Sequence, residues 1–91
     1  MNISVEISMY PLTPEYIEPI DNFLSELHQT KGLKVITNNM STQIFGEATL
    51  VMHTLQKAIL GVYTNAEVTQ CPFVVKFLKE DVSDKTIKDY S

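Results

Sequence analysis

Uncharged hydrogen-bonding side chains are concentrated in residues 38–42, which lead into an alternating segment containing Gln43, Phe45 and Glu47. Amide and hydroxyl groups can hydrogen-bond to a flat nitrogen heterocycle, and an aromatic ring can lie against its face. A carboxylate such as Glu6 or Glu47 can accept a hydrogen bond from an exocyclic amine, and it also favours a cation. These residue types therefore indicate binding of a small nitrogen-containing ligand.

The same polar residues also have an ordinary local role. Asn38 and Asn39 are typical turn formers, and the hydroxyls of Ser41 and Thr42 can bond to nearby backbone. Taken one at a time, each of the four fits that local role better than a ligand contact. The binding hypothesis therefore depends on the fold bringing several of them together.

No arrangement of side chains indicates catalysis, a metal site or a cofactor. His28 and His53 fall on helix positions outside the apolar stripes, where we expect them to face solvent. Cys71 is the single cysteine, so it can form neither an internal disulfide nor a Cys-x-x-Cys metal site. We expect it to be a small buried apolar residue, and we expect the protein not to be an enzyme.

The charge balance excludes some classes of partner. Eleven acids and seven lysines, with no arginine, give a net charge of −4. This disfavours nucleic acid, because phosphate neutralisation dominates such binding, and it removes the phosphate-binding arginine of acylphosphatase-like enzymes. The first ten residues lack the pattern of a signal peptide, and no apolar run approaches the roughly 20 residues that span a bilayer. We expect a cytoplasmic protein with no membrane partner.

The first two elements are predicted from hydrophobic periodicity. Residues 3–10 alternate between apolar and polar side chains, which indicates a strand with one buried face. A helix is expected with Thr13 as its N-cap and Pro14 in its first turn, closed by Gly32 as the residue after its C-cap. Its apolar stripe includes Ile17, Ile20, Leu24 and Leu27, and Pro19 is expected to kink it.

The rest of the chain completes a familiar order of elements. Strands are predicted at residues 33–37, 42–47 and 71–79, with a turn at 38–41 and a second helix at 49–63. Right-handed crossovers place both helices on one side of the sheet. The prediction is an α+β fold: a ferredoxin-like βαββαβ sandwich with an antiparallel four-stranded sheet in the order 4-1-3-2. We expect one domain at residues 1–79, followed by a charged tail at 80–91.

One face of this sheet is left without a helix layer. Alternation assigns it a mixture of polar and apolar residues, which are Ser4, Glu6, Ser8, Tyr10, Gln43, Phe45, Glu47, Val74, Lys76 and Leu78. Contiguous apolar surface of this kind marks an interface or a ligand site. We expect a homodimer or homotetramer that pairs these faces, with a ligand pocket where the sheets meet.

Three short motifs carry a resemblance that sharpens this expectation. They are ISMYPL at residues 7–12, YI at residues 16–17 and MSTQIFG at residues 40–46. In order and spacing they resemble the YkoF-like family of thiamine and hydroxymethylpyrimidine binding proteins. The resemblance implies a ferredoxin-like domain that assembles into dimers or tetramers and serves as a cytoplasmic carrier or salvage factor for thiamine or a related pyrimidine. Combined with the residues above, the predicted ligand site is Glu6, Ser8, Tyr10, Asn39, Met40, Ser41, Thr42, Gln43, Phe45 and Glu47.

Two other functions remain open at this point. An ACT-like regulatory module shares the topology, pairs its sheets and responds to a small molecule, usually at a helix–loop interface. A purely structural oligomerisation module would need no ligand. An RNA-recognition domain would also place aromatic residues on the central strands, but the acidic balance disfavours it.

Overall fold

Six elements follow one another in the predicted βαββαβ order. The fold is seen in a computed structural model, which describes residues 1–84. The elements are β1 (Asn2–Met9), α1 (Ile17–Gln29), β2 (Lys34–Thr37), β3 (Thr42–Glu47), α2 (Ala48–Tyr63) and β4 (Phe73–Leu78). Within this part of the chain, no helix is both long and apolar enough to cross a bilayer.

The four strands form one antiparallel sheet with β1 and β3 at its centre. The strand order is β2-β3-β1-β4, which is the predicted 4-1-3-2 order read from the other edge. Opposite residues share a face of the sheet, and Val5 of β1 lies between Ile44 of β3 and Phe77 of β4. The predicted ferredoxin-like sandwich is confirmed.

The core lies between the helices and one face of the sheet. Ile3, Val5 and Ile7 alternate along β1 and are all buried, as period-two patterning predicts. The helices bury a stripe at three- and four-residue spacing against them. Its buried members are Phe23 and Leu27 from α1, and Val51, Leu55, Ala58 and Val62 from α2.

The predicted N-cap of α1, Thr13, is wrong by three residues, since the N-cap is Tyr16. The helix begins at Ile17, and the Thr13 hydroxyl instead donates a hydrogen bond to the Glu67 carbonyl oxygen at 3.1 Å. Pro19 therefore falls in the first turn, where its missing N–H has no intrahelical acceptor to lose, so it causes no kink. The predicted stripe also included Ile17, which is 65% exposed at the first position of the helix.

The remaining boundaries agree closely with the sequence, except at β4. That strand spans Phe73–Leu78 instead of the predicted residues 71–79. Phe77 shares the helix-side face with Val5, as predicted, yet it is 53% exposed because β4 is an edge strand. Cys71 lies just before β4 and is buried as expected, and burial raises the pKa of its thiol.

Candidate functional site

Strand register groups the polar residues of the open face into rows. Glu6 on β1 lies between Gln43 on β3 and Lys76 on β4. The next row places Ser4 between Phe45 and Leu78. Because successive rows on one face of a sheet are two residues apart along each strand, these two rows form one continuous surface.

The Glu6 carboxylate is bonded to two side chains on this surface. One carboxylate oxygen lies 2.9 Å from the Lys76 ammonium, and the other accepts a hydrogen bond from the Ser41 hydroxyl at 3.1 Å. The bond from Lys76, followed by that from Ser41, holds the pKa of Glu6 below its ordinary value. Glu6 is therefore ionised at neutral pH and partly open to solvent.

A groove of about 510 Å³ runs over the two rows. Its size falls within the range of pockets that hold small organic ligands. Charged and amide groups line one part of the groove and apolar groups line another. The residues that define its chemistry are Glu6, Gln43, Lys76, Phe45, Leu78 and Val82.

Residues 80–84, here called the strap, cover one end of the open face. The Ser4 hydroxyl donates a hydrogen bond to the Glu80 carbonyl oxygen and accepts one from the Val82 N–H at 2.9 Å. Ser4 is buried, at 6% exposure, and Phe45, which lies opposite it on β3, is buried at 5%. Phe45 lies on the open face as predicted, and the cover that this face was expected to need is supplied at this end in part by the chain's own C-terminal segment.

The strap is the first part of the predicted charged tail. It is locally organised, since the Asp81 carboxylate accepts a hydrogen bond from the Ser83 N–H at 2.9 Å. Hydrogen bonds from Ser83 also hold the pKa of Asp81 below its ordinary value. The rest of the predicted tail, residues 85–91, lies outside the described residues.

A second, smaller cavity of about 160 Å³ lies between α1 and the turn that joins β2 to β3. Ser8, Asn39, Met40, Ser41 and Thr42 all line it, together with apolar residues of β1 and α1. Five of the ten predicted site residues are therefore brought together here. Glu6, Gln43 and Phe45 line the groove on the open face instead.

In the turn between β2 and β3, Asn38 has the local, backbone-bonding role that turn residues commonly have. The Asn38 side-chain oxygen accepts hydrogen bonds from the backbone N–H groups of Met40 and Ser41, at 2.8 and 3.0 Å. Thr42 is buried on the helix side, where its hydroxyl lies 3.2 Å from that of Thr37. Thr42 therefore does not reach the open face, whereas the Ser41 hydroxyl reaches Glu6.

Two predicted site residues lie apart from both cavities. Glu47 is the N-cap of α2: its carboxylate accepts a hydrogen bond from the Leu50 N–H at 3.1 Å, and bonds from the Leu50 and Thr49 backbone lower its pKa. The expectation that Glu47 serves the open face is wrong, because it closes a helix end. Tyr10 follows the end of β1, and its side chain is 52% exposed.

Sequence reasoning placed Ser4 and Lys76 on the open face but left them out of the site. The sequence signal that could have identified Lys76 was its placement on the same sheet face as an acidic residue, Glu6. The signal for Ser4 was its hydroxyl at a polar position of the alternating β1 strand, on the same face as Glu6. Among residues 1–84, no group of three or more His, Cys, Asp or Glu side chains is placed to hold a metal ion. A carboxylate, an ammonium and an amide beside apolar walls can bind a polar heteroaromatic molecule.

Several solved structures share this fold. A Streptococcus pneumoniae protein matches with a TM-score of 0.80 at 19% identity, with all of both chains covered. A Thermotoga maritima protein, named for a proposed role in thiamine biosynthesis or salvage, matches with a TM-score of 0.74 at 15% identity, covering 99% of this chain and 95% of that one. A hypothetical protein of Methanocaldococcus jannascii gives 0.74 at 20% identity, with 98% and 91% covered. At these identities the similarity shows the fold alone.

A comparison with curated proteins finds no match. The model of the YKOF-related family matches residues 2–75. The matched range runs from the start of β1 into β4, and it includes all ten predicted site residues.

Proposed function

The chain belongs to the YKOF-related family, and we propose that it is a small-molecule binding protein for thiamine or its hydroxymethylpyrimidine moiety. The role we propose is that of a cytoplasmic carrier or salvage factor, without catalysis. The family match supports a thiamine-related role, as does the name of the Thermotoga maritima protein of the same fold. The proposed site is the groove on the open face.

One observation carries this proposal: the ionised Glu6 carboxylate stands beside Gln43 in a groove with apolar walls. An aminopyrimidine has an exocyclic amine and a ring nitrogen on neighbouring positions. The amine would donate to Glu6, and the Gln43 amide would donate to the ring nitrogen. The flat ring would lie against the apolar side of Leu78, which is 46% exposed on this face.

The other predicted residues take indirect roles in this proposal. Ser41 and Lys76 hold the Glu6 carboxylate in place from two sides. The small cavity at the β2–β3 turn would shape the surroundings of Ser41, and direct ligand contact by Thr42 stays a prediction. We propose that a second subunit packs on the open face and closes the groove, because Val74 and Leu78 leave apolar surface there.

Calorimetric titration tests this function. Thiamine, hydroxymethylpyrimidine and a panel of amino acids are titrated separately into the wild-type protein and into Glu6→Gln. We expect binding of the pyrimidine compounds, weakened by about 10- to 100-fold in Glu6→Gln because a charge-assisted hydrogen bond is lost. Glu18→Gln is the matched control, since Glu18 is exposed on α1, in the layer on the other side of the sheet.

The other outcomes separate the competing functions. Heat with amino acids only would favour an ACT-like regulatory module. No heat with any compound, from a protein that still forms a stable oligomer, would favour a structural module. Equal loss of pyrimidine binding in Glu6→Gln and Glu18→Gln would remove the groove as the site.

A further inference from the structure

A second groove, here called the interhelical groove, lies between α1 and α2 in the helix layer, and its volume is about 310 Å³. Its floor is apolar and buried, and it is formed by Phe23 of α1 with Ala58 and Val62 of α2. Polar side chains line its walls, and they are Asn22, Glu26, Lys57 and Asn65. A buried apolar floor with a few polar groups around it is typical of a small-ligand site.

The two helices set these polar groups in a definite order along the interhelical groove. Each helix runs back against the strand before it, and because β1 and β3 are antiparallel, α1 and α2 also run in opposite directions. The Lys57 ammonium lies 2.9 Å from a Glu26 carboxylate oxygen, so this ion pair joins the two walls. The same row of α2 continues with Gly61 and, just past the helix end, with Asn65. The interhelical groove therefore has an ion pair toward one end and an amide toward the other.

Gly61 leaves a gap in that row of side chains. Its φ is not in the left-handed region, and a Cβ atom built on it would meet nothing within 4 Å among the described residues beyond its own stretch of helix. Neither the backbone conformation nor close packing therefore requires a glycine at this position. Glycine in a helix interior nevertheless weakens the helix relative to alanine. A residue that weakens its helix and keeps a cavity open indicates that the cavity has a function.

We propose that the interhelical groove binds a free α-amino acid with an apolar side chain. The ligand's carboxylate would pair with Lys57 and its ammonium with Glu26, while its side chain would lie on the apolar floor beside Gly61. The amides of Asn22 and Asn65 can both donate and accept hydrogen bonds, so they suit either end of a zwitterion. This site is separate from the groove on the open face, and it does not rest on the proposed binding of thiamine.

The ion pair favours a ligand that carries both charges over a ligand that carries one. The side chains of Lys57 and Glu26 are 71% and 31% exposed, so both have room for a second partner. An ammonium can donate, and a carboxylate can accept, more than one hydrogen bond. A simple anion would be attracted by Lys57 and repelled by the adjacent Glu26, and a simple cation would meet the reverse. A zwitterion is attracted by both groups, and the floor then selects for an apolar side chain.

NMR titration of the ¹⁵N-labelled protein with unlabelled L-leucine, L-methionine and L-valine in turn tests this site. We expect saturable shifts of the amide resonances of Gly61 and Asn65, and none at Gln43 on the open face. Leucinamide lacks the carboxylate and N-acetyl-leucine lacks the ammonium, so each should bind about tenfold more weakly than leucine. Since no thiamine is present, failure of thiamine to bind leaves this result unaffected.

A larger side chain at residue 61 supplies the matched variant. Gly61→Met would fill the interhelical groove and should weaken leucine binding by at least about tenfold. Because methionine is a better helix former than glycine, this variant should unfold at no lower temperature than wild type, which separates loss of the site from loss of the fold. Gln56→Met is the control: it introduces the same side chain at an exposed position of α2 outside the interhelical groove, and it should bind leucine as wild type does.

Several results would overturn the proposal. They are the absence of saturable shifts at Gly61 and Asn65 with all three amino acids, unchanged leucine binding in Gly61→Met, and equal weakening in Gln56→Met. Equal affinity for leucine, leucinamide and N-acetyl-leucine would show an apolar pocket that does not recognise a zwitterion. Sedimentation velocity supplies the remaining check, because a wild-type oligomer that dissociates in Gly61→Met would make the interhelical groove an interface between copies and would also overturn the proposal.

Discussion

At the residue scale, the ionisation of Glu6 depends on its bonds to Lys76 and Ser41, and the alternation of apolar and polar residues could not identify these partners. The sequence placed Glu6, Gln43 and Lys76 on one face of the sheet. Which acid meets which base depends on strand register, since a shift of two residues keeps the face and changes every partner. The observed register pairs Glu6 with Lys76, and the β2–β3 turn brings Ser41 to the other carboxylate oxygen.

Replacing Glu6 should change how stability depends on pH. The folded protein holds the pKa of Glu6 below its ordinary value, so the carboxylate contributes stability at neutral pH that is lost as pH falls through that lowered pKa. Glu6→Gln should cost less than about 1 kcal/mol at pH 7, because the ion pair is partly exposed. Urea unfolding of the wild-type protein and of Glu6→Gln, from pH 7 to pH 3, measures the difference in their free energies of unfolding. A difference between the two proteins that is as large at pH 3 as at pH 7 would contradict this cause.

Replacing Ser4 should loosen the strap. Ser4→Ala removes the hydroxyl that bonds to Glu80 and Val82, and we expect a loss of about 1–2 kcal/mol in the free energy of unfolding. Hydrogen exchange at the Val82 N–H should also become faster. Ser8→Ala is the matched control on the same strand, because the Ser8 hydroxyl makes one long, exposed bond of 3.4 Å to Met40. Equal effects of the two variants would show that Ser4 does not hold the strap.

At the element scale, strong local signals located most of the structure. β3 was predicted at its observed bounds, because a clear turn precedes it. α2 was predicted within one residue, because its apolar stripe is uninterrupted. The start of α1 was misplaced because Thr13-Pro14 has the same pattern as a helix N-terminus. In the folded protein the Thr13 hydroxyl instead donates a hydrogen bond to the carbonyl oxygen of Glu67, which lies in a distant loop.

Two glycines should respond to alanine with opposite signs. A Cβ at Gly46 would lie 2.6 Å from the Leu33 Cδ2 atom and 3.2 Å from the Gly32 carbonyl oxygen, so Gly46→Ala should cost roughly 1–3 kcal/mol through overpacking. Gly61 lies in α2 with nothing within 4 Å of such an atom. Gly61→Ala should therefore stabilise the protein by roughly 0.5–1 kcal/mol through helix propensity. Chemical denaturation measures both, and a neutral Gly46→Ala would mean that Leu33 moves aside freely.

At the scale of the whole molecule, the open face is covered unevenly. The strap bonds to Ser4 at one end, where Ser4 and Phe45 are both buried, while Val74 stays exposed nearer the other end. The sequence could predict that this face needs a cover, since its residues were too apolar for open solvent. It could not predict that the chain itself supplies part of the cover, because residues 80–84 have no periodic pattern and their docking depends on single hydrogen bonds to Ser4.

Removal of the strap should therefore expose a new apolar surface. A chain ending at Lys79 loses both bonds to Ser4 and uncovers Phe45, and we expect a loss of roughly 1–3 kcal/mol with stronger binding of a hydrophobic dye. A chain ending at Asp84 is the matched control, because it keeps both bonds. Thermal unfolding and dye fluorescence measure the two truncations side by side. If the chain ending at Lys79 behaved like the one ending at Asp84, the burial of Phe45 would have to come from its neighbours on the sheet, and the strap would contribute nothing to the fold.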